Sequence, residues 1–418
     1  MEFADELVDG TKGAALPLIR HDLGLSYEQV GLLASVPLLV GGLLELPLGV
    51  LAGQGRRRRL AILGGGVIFV LTLLAVASAR SFAVLLCAFV AFYPASGAFA
   101  SLTQAEIMDA WPGRQAQVMT RWELAGSMGA VAGPLLLIAV LASGGGWRAG
   151  YLALAGLAAL TWLGAYLRHP AVPVADPPGA HGRDADSGNA DSGNADGGDA
   201  HGRDADSGDA DGEGNSGSEP RPGRVRAREI TAALRDWGTL RWLVLIEVAD
   251  LLVDVFTGFL ALYLVDVAHM TPAVAALAIA IRLGAALAGD AALVLILERA
   301  GDLAVLRASA AAAALLYPGF LLVPGIVPKL VVLAALSAAT APWYPVLQAR
   351  LYGSLPGRSS VAVTLSSAAG LAGGLGPLAV GLIAQGLGLS WALAGLVVVP
   401  VAVLLVPAGA RSAHDVQG

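Results

Sequence analysis

Stretches of about twenty apolar residues recur along the chain, and they restrict its possible folds more than any other feature. A helix of that length crosses the hydrocarbon of a bilayer and satisfies its backbone polar groups internally. Hydrophobic residues make up 56% of the 418 and charged residues only 14%, where a soluble domain carries roughly a quarter charged residues. The stretches are rich in Leu, Ala, Val and Gly and lack the alternation of barrel strands. Transmembrane helices are therefore expected at about 1–20, 29–52, 60–79, 82–104, 118–142 and 148–168, then at 241–265, 273–297, 304–324, 330–352, 361–386 and 391–408. That is six, a break, and six. The first helix is expected to be short, starting at Met1, and no cleavable leader is expected.

The break divides the chain into an N-terminal six-helix unit (1–169), a linker (170–228) and a C-terminal six-helix unit (229–418). In the linker the segment 180–188 recurs at 200–208, and Gly, Asp, Ser and Asn leave almost nothing apolar to bury. Such a segment is expected to be disordered. Between Asp176 and Glu219 it carries twelve acids against Arg183 and Arg203, a balance of −10, so the net charge of −6 leaves the rest of the chain at +4. Asp184-x-Asp-x-Gly188 lacks the later Glu and flanking helices of a calcium loop, and no metal is expected there. Cys87, the single cysteine, lies in an apolar run and is expected as a buried structural thiol. Arg56, Arg57, Arg58 and Arg59 follow the second span, and Arg114, Arg168, Arg299, Arg307, Arg358 and Arg411 mark span ends on the same side. By the positive-inside rule both termini and the linker are cytoplasmic, in a multi-pass protein of the cell membrane.

The two sets of six repeat one another. Glu2, Asp5, Asp9 and Gly13 recur 245 residues later as Glu247, Asp250, Asp254 and Gly258, and Glu45 recurs as Asp290. Pro112-Gly113-Arg114 and Trp147 recur after 244 as Pro356-Gly357-Arg358 and Trp391, and Gly133-Pro134-Leu135 after 243 as Gly376-Pro377-Leu378. An even number of spans per copy gives a parallel repeat about an axis along the membrane normal. Within each copy the acids at i, i+3 and i+7 fall on one helix face. Carboxylates in hydrocarbon cost several kcal/mol unless paired, protonated or hydrated, so the stripe asks for a function. Structural pairing with Arg282 or Lys12 is the plain alternative.

Local motifs carry a resemblance. The loop Gly49-Val-Leu-Ala-Gly53-Gln54-Gly55-Arg56-Arg57-Arg58-Arg59 resembles the major facilitator superfamily pattern Gly-x-x-x-Asp-Arg-x-Gly-Arg-Arg, with Gly53 where the family has an acid. Its partner loop keeps Glu298-Arg299. Gly126-x-x-Gly129-x-x-x-Gly133-Pro134 resembles the family's antiporter-type fifth span, where helices approach closely at Gly and bend at Pro and the two halves are expected to meet, with an echo at Gly373, Gly376 and Pro377. Leu23-Gly24-Leu25-Ser26 after an acidic helix resembles the fosmidomycin-resistance-like branch.

That resemblance implies an all-α transporter of twelve helices in two pseudo-symmetric halves around a midplane cavity. It implies proton-coupled efflux of a small organic molecule by alternating access, in a monomer without cofactor, metal or nucleic-acid partner, surrounded by lipid bilayer. Asp254, Asp250, Asp9, Asp5 and Arg282 are then the coupling and cavity residues. Glu247, Glu2, Glu45, Asp290, Arg56, Arg57, Glu298 and Arg299 fall to the cytoplasmic vestibule or gate, and the glycines and prolines above to packing and hinges. Symport or facilitated diffusion fits the same fold. Two other classes remain: a Mg²⁺-dependent intramembrane prenyltransferase, from the paired Asp-x-x-x-Asp at Asp5/Asp9 and Asp250/Asp254, and a non-transporting membrane sensor.

Overall fold

The computed structural model describes residues 1–52, 56–110, 115–168, 235–297, 299–355 and 359–405. The linker expected at 170–228, the partner-loop residue Glu298, and Arg114, Arg358 and Arg411 lie outside the described residues. The described residues are helical, with no strand among them. The first six crossings are α1 (Glu2–Leu23), α2 (Tyr27–Ala52), α3 (Arg56–Ser78), α4 (Phe82–Phe99) continued by α5 (Ser101–Ala110), α6 (Gln115–Ala142) and α7 (Trp147–Arg168). The seventh is compound: α8 (Trp237–Asp250), a π-helical turn at Leu251–Val255, α9 (Phe256–Leu262) and a second π turn at Tyr263–Val267. Then come α10 (Pro272–Leu297), α11 (Asp302–Leu322), α12 (Ile326–Thr340) continued by α13 (Trp343–Ser354), α14 (Ser359–Gly373) continued by α15 (Gly376–Leu387), and α16 (Leu389–Gly395) with α17 (Val398–Leu404).

Nine of these crossings are long and apolar enough to span a membrane among the described residues. The first falls short because Glu2, Asp5, Glu6, Asp9 and Lys12 make it too polar, the seventh because its π turns divide it into shorter helices, and the last because it is divided and shorter. The first helix is not short, as expected from the sequence, but 22 residues long. It ends at Gly24, which adopts φ +60° while its N–H and that of Leu25 close on the Arg20 carbonyl. Only glycine takes that conformation without strain, so the Leu-Gly-Leu-Ser turn is a helix stop. Asp236 starts the seventh crossing by accepting hydrogen bonds from the backbone N–H of Gly238 and Thr239, at 3.3 and 2.9 Å.

Small residues set the packing. Gly129 lies against the backbone of Phe3, Gly133 against Leu7 and Thr11, and Gly10 against the carbonyl of Ala130. A side chain at any of these would collide with backbone, so α1 and α6 sit nearly in backbone contact. The fifth-span glycines were read from the sequence as the place where the halves meet. Gly126, Gly129 and Gly133 instead bind α6 to α1 within one half, and the copy repeats the theme as Gly373 meets Glu247 and Gly376 meets Leu251 and Val255. Between halves, α2 packs on α15, where Gly31 and Gly381 approach, and α6 packs on α10.

Cys87 corrects another expectation. It is exposed, beside Leu71 and Val84 in an open groove between α3 and α4, on a face of exposed apolar side chains. The reason is that an apolar run in a membrane protein also covers its lipid-facing side, so apolar context does not imply burial.

Candidate functional site

One acid from each copy of the repeat, Asp9 and Asp254, meets the other across the middle of the bundle. Asp9 and Asp254 are exposed, although their neighbours Val8 and Val255 are buried at 1% and 6%. The two carboxylates lie within electrostatic range of each other. Cβ positions at Gly13, Gly258 and Gly284 meet open space. Depth in the helix together with exposure means a cavity between α1 and the seventh crossing, wide enough to admit water.

Each half then seats one cation beside its acids, by different means. On α1 the Lys12 ammonium donates to Asp9 Oδ1 at 2.7 Å and to the Tyr93 hydroxyl at 2.9 Å. Asp5, one turn earlier, accepts from Ser96 at 2.6 Å. In the other half Arg282, 5% exposed, donates to the Thr257 hydroxyl, the Val253 carbonyl and, at 3.3 Å, the Ser337 hydroxyl. Thr257 is the repeat mate of Lys12, 245 residues on, and Ser337 that of Tyr93, 244 on. So the same station in each half joins the first helix of the copy to its fourth through a cation, half-buried at Lys12 and buried at Arg282. Arg282 was expected to hold Asp250 or Asp254. Its described contacts are neutral oxygens, and Asp254 remains in Coulombic range. The Val253 carbonyl, which lies in the π turn, accepts from both Thr257 and Arg282.

Toward the end that bears Arg56–Arg59 the cavity walls become more acidic. Glu2 and Glu6 lie against Gly126, and Glu247 against Gly373. Tyr344, 55% exposed, has Asp250, Asp254 and Glu247 as its electrostatic neighbours, whereas Trp343 is fully buried and donates to Ser309 at 3.0 Å. Of the expected gate residues, Arg56, Arg57, Asp290 and Arg299 are exposed near that end, and the side chain of Glu45 lies outside the described residues. Among the described residues no group of three His, Cys, Asp or Glu is arranged to hold a metal ion. The cavity thus presents many carboxylates and two cations that are already engaged. It can bind and release protons or other cations, and among the described residues it offers no basic cradle for a diphosphate.

Sequence reasoning missed the opposite end, called the far end below. There Arg20 of α1 pairs with Asp266 of the second π turn at 2.8 Å. Tyr27 of α2 donates to the same carboxylate at 2.9 Å, and the Arg20 guanidinium stacks on its ring at 4.1 Å. The backbone N–H groups of Tyr27 and Leu378 add bonds to Gln385 and Ser35, at 3.1 and 3.0 Å. These described bonds join the halves on the far-end side of the cavity. Glu6 on the acidic face was also missed. The signal for the far-end cluster was present only as single charges at the ends of two apolar runs.

Comparison with known proteins agrees with this architecture. The family described as the Major Facilitator Superfamily matches residues 3–349. A bacterial homologue of the human lysosomal transporter Spinster, solved in an inward-facing and unoccupied conformation, superposes with a TM-score of 0.70 at 15% identity, covering 96% of this chain and 93% of that one. The nucleoside transporter NupG superposes with a TM-score of 0.69 at 12% identity, covering 96% and 95%. Among curated proteins no sequence matches this chain.

Proposed function

From the premise that this chain belongs to the Major Facilitator Superfamily, and so is a secondary transporter working by alternating access and not an enzyme, we propose that it exports a small organic molecule in exchange for protons. The observation that carries the reading is the pair of carboxylate stripes, Asp5/Asp9 and Asp250/Asp254, on the mated helices of the two halves, with Asp9 and Asp254 exposed and within electrostatic range of each other. A carboxyl at that depth can take a proton from one side and release it to the other as the halves rock. Asp254 and Asp250 are the leading coupling residues, with Asp9 and Asp5 their symmetry mates and Arg282 and Lys12 the fixed cations beside them. Glu247 and Glu2 belong to the vestibule. The arginine-rich end is the cytoplasmic one by charge, and the linker at 170–228 is a cytoplasmic tether between the units.

The far-end bonds support an inward-open state, closed outside by Arg20, Tyr27 and Asp266. The Spinster homologue, whose solved state faces inward, supports the same assignment by fold. The surplus of acids over cations favours a cationic or protonated cargo.

The test begins with a thermal-shift screen of organic cations, organic anions and nucleosides on purified protein, since a ligand that binds the folded state stabilises it. The stabilising compound is then followed in proteoliposomes under an imposed pH gradient. Asp254→Asn and Asp250→Asn should still bind it but lose uphill movement. If both variants drive gradient-coupled accumulation at the wild-type rate, the coupling assignment is wrong.

A further inference from the structure

Among the described residues, two buried polar groups on α7 have no hydrogen-bond partner. They are the indole Nε1 of Trp147 and the hydroxyl of Tyr151, in residues 4% and 0% exposed. The side chains are one turn apart, with ring centroids 6.1 Å apart and edge-on. Natural interiors satisfy such groups with ordered water where the protein supplies no partner. The position of these two is informative. Tyr151 also meets the edge of Phe89 on α4 at 6.5 Å, one turn from the Tyr93 that holds Lys12. Its hydroxyl lies within Coulombic reach of both Lys12 and Asp9. At the other side of the pair, Arg148 stacks on Trp147 at 4.3 Å while bonding Asp22 and, at 2.9 Å, the Ala79 carbonyl at the far end.

We propose that ordered water held by Trp147 Nε1 and the Tyr151 hydroxyl connects the far end to the Asp9–Lys12 pair, along a path inside the N-terminal half that never crosses the seam between halves. The indole N–H only donates, so it fixes the orientation of a water without relaying a proton. The tyrosine hydroxyl both accepts and donates. A proton moving inward therefore adds to it from the water on one side while its own proton leaves toward Asp9, and the hydroxyl is unchanged. Under the proton-coupled reading, on which this transport role rests, the pair can receive protons from outside while Arg20, Tyr27 and Asp266 keep the seam shut.

Radiolytic hydroxyl-radical footprinting of the full chain in nanodiscs, read by mass spectrometry, tests the water site without any cargo. Radicals form where water is bound. Normalised for intrinsic reactivity, Trp147 and Tyr151 should label well above Phe89 and Phe92, which are equally buried at 3% and 4%. Tyr151→Phe should reduce labelling of Trp147, Trp147→Phe should reduce labelling of Tyr151, and neither should raise the melting temperature. A dry, unpaired hydroxyl would behave oppositely, because deleting it would stabilise the protein. Labelling at the level of Phe89, or a higher melting temperature for Tyr151→Phe with unchanged Trp147 labelling, overturns the proposal. A wild-type protein that moves no protons would end the coupling reading and leave the labelling result standing.

Discussion

A single side chain carries most of the polar contact in the C-terminal half of the cavity. Arg282 reaches three oxygens on two neighbouring crossings, and that needs the guanidinium fork. Arg282→Lys keeps the charge and loses the fork. It should cost about 2 kcal/mol of stability by the usual worth of hydrogen bonds to a charged group, seen as a lower melting temperature in detergent. At the membrane edge Asp236 makes a simpler case. Hydrogen bonds from the Thr239 side chain and backbone hold its carboxyl below the ordinary range. A lowered folded value means that its stabilisation is present above the unfolded value of about 3.9 and is lost as pH falls through the lowered one. Asp236→Ala should cost about 1 kcal/mol at neutral pH. The gap from wild type in a melting series should close as the solution is acidified.

Helix pairs explain what the sequence could and could not reveal. The twelve crossings and their duplication were legible because hydrocarbon length and a fixed offset both write themselves into one dimension. The acidic stripe was legible for the same reason: helical period alone puts Asp250 and Asp254 on one face. Partner choice was not. Nothing in Gly126-x-x-Gly129-x-x-x-Gly133 says whether the near neighbour is α1 or the other half, and the answer is α1. Nor does the sequence show that Arg282 would take a backbone carbonyl and two hydroxyls in place of a carboxylate. Gly129→Val tests the helix pair directly. Backbone of Phe3 occupies the space a Cβ needs, so overpacking should cost about 1–3 kcal/mol or more and show as a depressed melting temperature. Gly164→Ala, on α7 with open space at its Cβ, should be neutral or stabilising by up to about 1 kcal/mol in the same assay.

For the whole molecule, the measurable quantity is the balance between its open states. The Arg20–Asp266 pair is about a quarter exposed on each side, so it contributes on the order of 1 kcal/mol, or about a fivefold bias toward the far-end-closed form. Asp266→Asn should shift spin-label distances across the far end toward longer values by that factor in population. The two central helices also differ as mechanical parts. The first is α-helical over 22 residues with one interior proline, Pro17, whereas its mate carries π turns at Leu251–Val255 and Tyr263–Val267. A proline removes one rung of the ladder at a fixed place, whereas a π turn stores extra chain that can be drawn out toward ordinary pitch. Two copies of one repeat would then share the stroke unequally, the N-terminal arm pivoting at a single point while the C-terminal arm also changes length.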